Sequence, residues 1–270
     1  MNLKSTAVRN LERMGVAMTS TKHLNRMTEG RRASQILADR YLAYLEFIAA
    51  APEGAAQELA SVARAPQTQS QLGQDLFVLL ETTFKRNGYF VEFGAADGVF
   101  LSNTYLLEMG YGWHGILAEP AKSWHGLLRQ ARTAKIDDRC VWPTSGENLE
   151  FNETIDAEYS TISSLNDHDQ HSEQRKNGTT YSVPTISLND LLLHHNAPQS
   201  IDYLSIDTEG SELGILSSLD FERYRFKIIT CEHNFTPQRE KIHDLLTSKG
   251  YVRKCEALSK WDDWYVLPTI

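Results

Sequence analysis

An open, largely parallel α/β sheet with helices on both faces, preceded by a helical arm, is the fold this sequence predicts. Two observations predict it. From Ser70 onward, short apolar runs with strand character alternate with helix-period segments. The run YFVEFGAADGVFLSNT, residues 89–104, then passes from a buried strand into a glycine-bearing turn and a helix. Sheets of this kind bring main chain up to a nucleotide-like ligand in that way.

Residues 1–69 form the arm and residues 70–270 the sheet domain. The arm is rich in Ala, Arg, Glu and Leu, and Leu37, Tyr41, Tyr44, Leu45 and Ile48 recur at helical spacing. Pro52-Glu53-Gly54 breaks that helix, and a second is expected over 55–64, before Pro66. The arm's apolar stripe suits packing on the main domain or on a second copy of the chain.

In the domain, strands are expected at 89–93, 115–119, 139–142, 201–207, 227–232, 251–257 and 264–267. Helices are expected near 101–109, 123–132, 188–194, 211–218 and 238–249. Ser187 and Asp190 have capping-box spacing, Pro237 suits a first helical turn, and Gly250 stands where a helix ends. No helix pattern separates the last two strands, which predicts a hairpin at one sheet edge. Residues 144–186 break the alternation, and their polar run 166–178 reads as a mobile loop or an insertion on the ligand side.

Composition excludes several classes. The chain has 270 residues, 41% hydrophobic, enough for a real core. A net charge of −8 argues against bulk nucleic-acid binding. The three cysteines, Cys140, Cys231 and Cys255, form no CxxC, which speaks against a disulfide framework or a zinc site. The N-terminus lacks an apolar signal segment, and no run has the ~18 apolar residues of a membrane span. A cytoplasmic location is expected.

The turn after the first strand has the form acid-x-Gly-x-x-x-Gly: Glu92, Gly94, then Gly98, with Ala95 and Asp97 between the glycines. It lacks the Gly-x-Gly-x-x-Gly of dinucleotide sites and suits a ligand with an amino-acid moiety, such as S-adenosylmethionine. Small residues there let the ligand approach the backbone. Glu119, 25 residues after Gly94, ends the second strand where an acid can hold both ribose hydroxyls. Ser102, Asn103 and Thr104 stand at a helix start, where capping and ligand contact are compatible. Asp97 either reaches the ligand's ammonium or bonds its own backbone. Gln74 and Asp75, in SQLGQD ahead of the first strand, either begin a helix or close over the cofactor. The fourth strand empties into Asp207-Thr208-Glu209, whose acids suit the acceptor, a metal or the cofactor's amino group, and the fifth into Glu232-His233-Asn234. His233 is a candidate base or metal ligand. His168, His171, His194 and His195 read as solvated, and Trp261 and Trp264 as core.

Taken in order, YFVEFGAADGVFLSNT, GILAEP, TISLNDLL, IDYLSIDTEGSE and IITCEHNF resemble the FkbM family of S-adenosylmethionine-dependent methyltransferases, and SQLGQD resembles a common subgroup of it. The resemblance covers about residues 70–270. It implies a Rossmann-like class I methyltransferase sheet of seven strands whose final strand inserts antiparallel, and methylation of hydroxyl oxygens on sugars, glycans or natural products. Gly94, Ala95, Asp97 and Gly98 match the family's cofactor turn, Glu119 its ribose acid and Asp207 its fourth-strand acid. Glu92 stands where many relatives have Asp. A hydroxyl nucleophile needs its proton removed, so His233 is the first-choice base and Asp207 the second. Alternatively Asp207, Glu209 and His233 hold Mg²⁺. Methylation of protein or RNA, through the basic stretch 129–135, and a cofactor-binding module without catalysis are the competing readings.

Overall fold

The computed structural model describes residues 42–43, 46–47, 51, 54–62, 68–154, 160–165 and 174–268. Its elements run in the order α1 (Ala55–Val62), α2 (Gln74–Glu81), β1 (Tyr89–Phe93), α3 (Tyr105–Tyr111), β2 (His114–Ala118), α4 (His125–Ala131), β3 (Lys135–Asp137) and β4 (Cys140–Val141). There follow β5 (Asn148–Glu153), β6 (Thr161–Ile162), β7 (Thr179–Ile186), α5 (Leu188–His194), β8 (Ser200–Ile206) and α6 (Glu212–Ser218). The chain closes with β9 (Arg225–Glu232), α7 (Gln238–Ser248), β10 (Val252–Lys254), α8 (Glu256–Ser259) and β11 (Asp262–Val266).

Seven strands form the main sheet in the order β10-β11-β9-β8-β1-β2-β3. β1, β2, β3, β8 and β9 run parallel, and β11 lies antiparallel between β9 and β10. Strand periodicity sends alternate residues to opposite faces. Val91, Phe93, Leu204, Ile206 and Ile229 join the core under α5, α6 and α7. Phe90, Leu117, Tyr203, Ile228 and Trp264 join the other, under α2, α3 and α4. Of the arm, Ala43, Phe47 and Leu59 are buried in this second core, and the Phe47 ring lies 6.0 Å from that of Trp264. The apolar stripe expected from Leu37, Tyr41, Tyr44, Leu45 and Ile48 lies outside the described residues.

Three expectations are corrected. The strand expected at 139–142 does not join the main sheet; its edge is Lys135–Asp137, too short and polar to show a period. Cys140–Val141 instead opens a second sheet, ordered β4-β7-β5-β6. Residues 144–186, for which no strand was expected, supply that sheet's other three strands, around a small core of Ala121, Cys140, Phe151, Ile162 and Val183. Of the polar run, 166–173 lie outside the described residues. The terminal strands do pair antiparallel, but the four-residue α8 separates them. Elsewhere the capping signs hold: the Asp190 amide donates to Ser187 Oγ at 3.1 Å, and Gly250 has φ +91°. Among the described residues no helix is long and apolar enough to cross a membrane.

Beneath the turn after β1 lies a buried ion network. Arg132, directly after α4, is 4% exposed and donates through Nε to Glu108 Oε2 of α3 at 2.7 Å. Nη1 donates to the Gly98 carbonyl at 2.9 Å and to Ser102 Oγ at 3.1 Å, and Nη2 to Thr104 Oγ1 at 2.8 Å. Glu92 lies 3.8 Å away and accepts from Ser102 Oγ, Thr104 Oγ1 and the Asn103 amide. Removing one partner of such a network leaves charge buried and unpaired. Arg132→Ala should therefore lower stability by about 3–5 kcal/mol in urea unfolding. A loss under about 1 kcal/mol would mean that water or rearrangement replaces the guanidinium.

Candidate active site

A cavity of about 460 Å³ opens at the C-terminal ends of β1, β2, β8 and β9, where open α/β sheets hold their ligands. On one side it is lined by Gly94, Asp97, Asn103 and Glu119. Opposite stand Asp207, Glu209, Glu232, Trp261 and Asp262. Phe151, Thr161 and Ile162 of the second sheet form another wall, so the inserted segment does lie on the ligand side.

The β1 turn is shaped by close packing. Gly94 has φ +70°, and a Cβ there would meet the Asp207 carbonyl oxygen at 2.2 Å. Glycine is thus required by the neighbouring strand end, beyond any demand of the ligand. A Cβ on Gly98, φ +80°, would meet Leu128 at 2.6 Å and Arg132 at 2.7 Å, and Gly98 does not line the cavity. Ala95 is 1% exposed in the core, and the neighbouring Ala96 takes the cavity position. Asp97 Oδ1 accepts the amides of Val99 and Phe100, each at 2.8 Å, the turn-holding alternative of its two readings.

Ser102 and Thr104 were expected to cap a helix, but no side chain caps α3 and both hydroxyls serve Glu92. Glu92 lines the cavity while its oxygens fasten residues 102–104. Asn103 donates Nδ2 to Ser205 Oγ at 2.9 Å, and its buried Oδ1 has no hydrogen-bond partner. Gln74 lines the cavity and donates to Asp262 Oδ2 at 3.0 Å. Asp75 lies outside the lining; it accepts from Ser70 Oγ and is wholly buried.

Glu119 accepts one amide on each oxygen, Ala96 and Ala121, both at 2.8 Å. Burial outweighs those bonds and pushes its carboxyl up to about 7. Across the cavity, the β8–β9 register pairs Ile206 with Cys231, and the next step sets Asp207 beside Glu232. Glu232 pairs in turn with Asp262 of β11. Burial, and then the charges of Asp207, Glu209, Glu212 and Asp262, drive the Glu232 carboxyl well above the usual carboxylate range. Burial likewise lifts Asp262 to about 8. Glu209 has φ +57°, its Oε2 sits 2.9 Å from Arg175 Nη2, and its carbonyl accepts from Thr161 Oγ1. Asp207, Glu209 and Glu232 offer oxygens within 4.8 Å of one another.

His233 is not part of this group, contrary to the sequence reading. It is 4% exposed and outside the cavity lining. Its Nδ1 accepts the Phe235 amide at 3.0 Å, and its Nε2 lies 3.8 Å from Asp263, with no hydrogen bond. The cavity member at that strand end is Glu232, which strand register could have identified. Asp262 opens β11, two residues before the strand start expected from the sequence, and Trp261 directly before it both packs on the second core and lines the cavity. Trp264 is core, as expected. His195 is not merely solvated: its Nε2 lies 2.8 Å from Asp137. His168 and His171 lie outside the described residues.

The residues present fit S-adenosylmethionine. Glu119 retains lone pairs toward the cavity for two ribose hydroxyls, and the orphaned Asn103 oxygen suits an ammonium donor. The strand order, the antiparallel insertion of β11 and this cavity define a Rossmann-like class I methyltransferase. A sequence model of the methyltransferase FkbM domain matches residues 92–253. The chain belongs to the FkbM methyltransferase family and is an S-adenosylmethionine-dependent methyltransferase.

Similar solved structures include precorrin-6y C5,15-methyltransferase from Geobacter metallireducens, 11% identical with TM-score 0.39, over 75% of this chain and 90% of that one. A human methyltransferase 10 domain containing protein is 11% identical with TM-score 0.38, over 75% and 81%. A TehB-like methyltransferase from Corynebacterium glutamicum is 10% identical with TM-score 0.36, over 79% and 95%. No curated protein matches the chain.

The raised carboxyls give a pH dependence of fixed sign. Glu119, lifted from 4.5 to about 7, and Asp262, lifted from 3.8 to about 8, hold protons that the unfolded chain has released. Stability therefore falls as pH rises through those values. His233, pushed down by burial, acts oppositely only below its ordinary 6.5. Between roughly pH 6.5 and 8 the urea midpoint of the apoprotein should fall, and Glu119→Gln should flatten the slope. A midpoint that rises over this range would contradict the raised carboxyls.

Proposed function

We propose that the protein transfers the methyl group of S-adenosylmethionine to a hydroxyl oxygen of a sugar, glycan or natural product. The row Asp207, Glu232, Asp262 on adjoining strand ends carries this reading. A neutral amine or a thiolate is nucleophilic without a base, whereas an alcohol needs a proton acceptor beside the donor. The basic stretch that an RNA acceptor would need offers little free charge. Arg132 is buried, Arg129 pairs with Asp138, and Lys135 donates to the His195 carbonyl.

When bound, the donor supplies an electrophilic methyl carbon on a sulfonium leaving group. Glu119 and Asn103 hold its ribose and amino group, and Gly94 keeps the β1 turn against the β8 end. Asp207 takes the hydroxyl proton as the new C–O bond forms, since alignment and proton removal are what this reaction asks of a protein. A second reading is favoured by the grouping of Asp207, Glu209 and Glu232 within 4.8 Å: Mg²⁺ on these oxygens would acidify the hydroxyl instead. Glu232 takes the place given to His233 in the expected ligand set.

Incubation with methyl-labelled donor and a cell extract fractionated into glycan, lipid, protein and RNA tests the proposal. Label should enter the glycan or small-molecule fraction as an alkali-stable methyl ether, whereas label in RNA or protein would refute it. Asp207→Asn should slow transfer roughly 10²–10⁴-fold without loss of S-adenosylhomocysteine binding. Chelator leaves the rate unchanged if Asp207 acts as base, and abolishes it if a cation does.

Glu119→Ala should weaken S-adenosylhomocysteine binding by about 1.5–3 kcal/mol, the scale of charge-assisted hydrogen bonds. Calorimetry on the folded variant measures this, and an unchanged affinity would place the ribose elsewhere.

A further inference from the structure

Every buried acid in the cavity wall but one has a donor or a cation to hold. Glu92 takes the Ser102 and Thr104 hydroxyls, and Glu119 the amides of Ala96 and Ala121. Glu209 faces Arg175, and Asp262 Oδ2 takes Gln74 Nε2 at 3.0 Å and Trp264 Nε1 at 3.1 Å. Glu232 is the exception. It is 9% exposed and lines the cavity, yet its carboxyl has no hydrogen bond or ion pair among the described residues. The charges that act on it most, those of Asp207, Glu209, Glu212 and Asp262, are all negative. Buried carboxyls are ordinarily hydrogen-bonded and, when charged, paired. This one is built to meet a group that arrives from the cavity.

The methyl donor does not supply that group. Its ribose and amino group are assigned to Glu119 and Asn103 on the opposite wall, and its sulfonium carries charge but no N–H or O–H to donate. The acceptor is what remains to face Glu232. Asp207, the proposed base, and Glu232 each place a carboxyl oxygen within 4.8 Å of the other's. A group held by Glu232 therefore sits close to the hydroxyl that Asp207 deprotonates.

We propose that the acceptor is an amino alcohol whose protonated amine is bound by Glu232, with the methylated hydroxyl on the adjacent or next-adjacent carbon. The proposal rests on the O-methyl transfer reading above and narrows its acceptor. An ammonium brings both things that Glu232 lacks, positive charge and N–H donors, and a charge-assisted bond of this kind is roughly twice as strong as a neutral one. An anionic acceptor would instead set a further negative charge against Asp207, Glu209 and Glu232. Binding the amine as its cation also leaves the methyl group one outlet. The ammonium has no lone pair for the methyl carbon. The neighbouring hydroxyl gives its proton to Asp207 as the C–O bond forms and the C–S bond breaks.

The test uses the full chain, methyl-labelled donor, and extract glycans and small molecules divided on ion exchangers at neutral pH into cationic, neutral and anionic pools. Label should enter the cationic pool and sit on oxygen, and acetylating the amines of that pool beforehand should abolish the transfer. Glu232→Gln, which keeps the shape and removes the charge, should raise the apparent KM for the cationic pool about tenfold or more, the scale of a lost charge-assisted bond. It should bind S-adenosylhomocysteine as the wild type does. Oxygen-linked label confined to the neutral or anionic pool overturns the ammonium and leaves O-methyl transfer intact. An unchanged KM in Glu232→Gln, or transfer indifferent to acetylation, does the same. Label on nitrogen, in RNA or protein, or in no pool at all overturns the parent reading and the amino alcohol together.

Discussion

The buried guanidinium of Arg132 is the constraint on which the donor half of the site depends. Its nitrogens reach α3, the Gly98 carbonyl and the hydroxyls that also serve Glu92. The turn after β1 is thereby tied to the helices on both sides of it. Burying a charge costs several kcal/mol after relaxation, so a network like this contributes more to a single geometry than to net stability. Glu92 makes the same point from the strand. Its carboxylate lines the cavity, yet it works by fixing residues 102–104 and so the placement of Asn103.

Across the cavity the constraint is reversed. Glu209 has Arg175 beside it, and Asp207, Glu232 and Asp262 stand on three adjoining strand ends, where burial first and then the neighbouring acids disfavour ionisation of Glu232 and Asp262. A site of this sign attracts a cationic ligand and repels an anionic one. The positive charge of a sulfonium donor is the complement such a wall requires.

Much of the sheet was legible because its central strands are continuous apolar runs, as two-faced burial demands. The donor side was legible because Gly94 and Glu119 follow such runs directly. What escaped notice had physical causes. Lys135–Asp137 is three residues long with two of them charged, and β5 and β7 alternate polar with apolar residues because the second sheet buries a smaller core. His233 drew attention through its chemistry, yet strand parity turned the neighbouring Glu232 toward Asp207. Asp262 escaped because the last strand, expected to start at 264, starts two residues earlier and so brings this acid opposite Glu232.

The second sheet enters the chain between β3 and β8 and leaves the main sheet's order undisturbed. The residues assigned to the donor, from Gln74 to Glu119, precede it. From the insert, Phe151, Thr161 and Ile162 face the same cavity from another wall. Lengthening or exchanging the stretch between residues 140 and 186 would reshape that wall and leave the turn after β1 and the end of β2 in place. A lineage built this way can remodel one wall of its cavity by insertion and deletion, a far shorter route than rebuilding a pocket one substitution at a time.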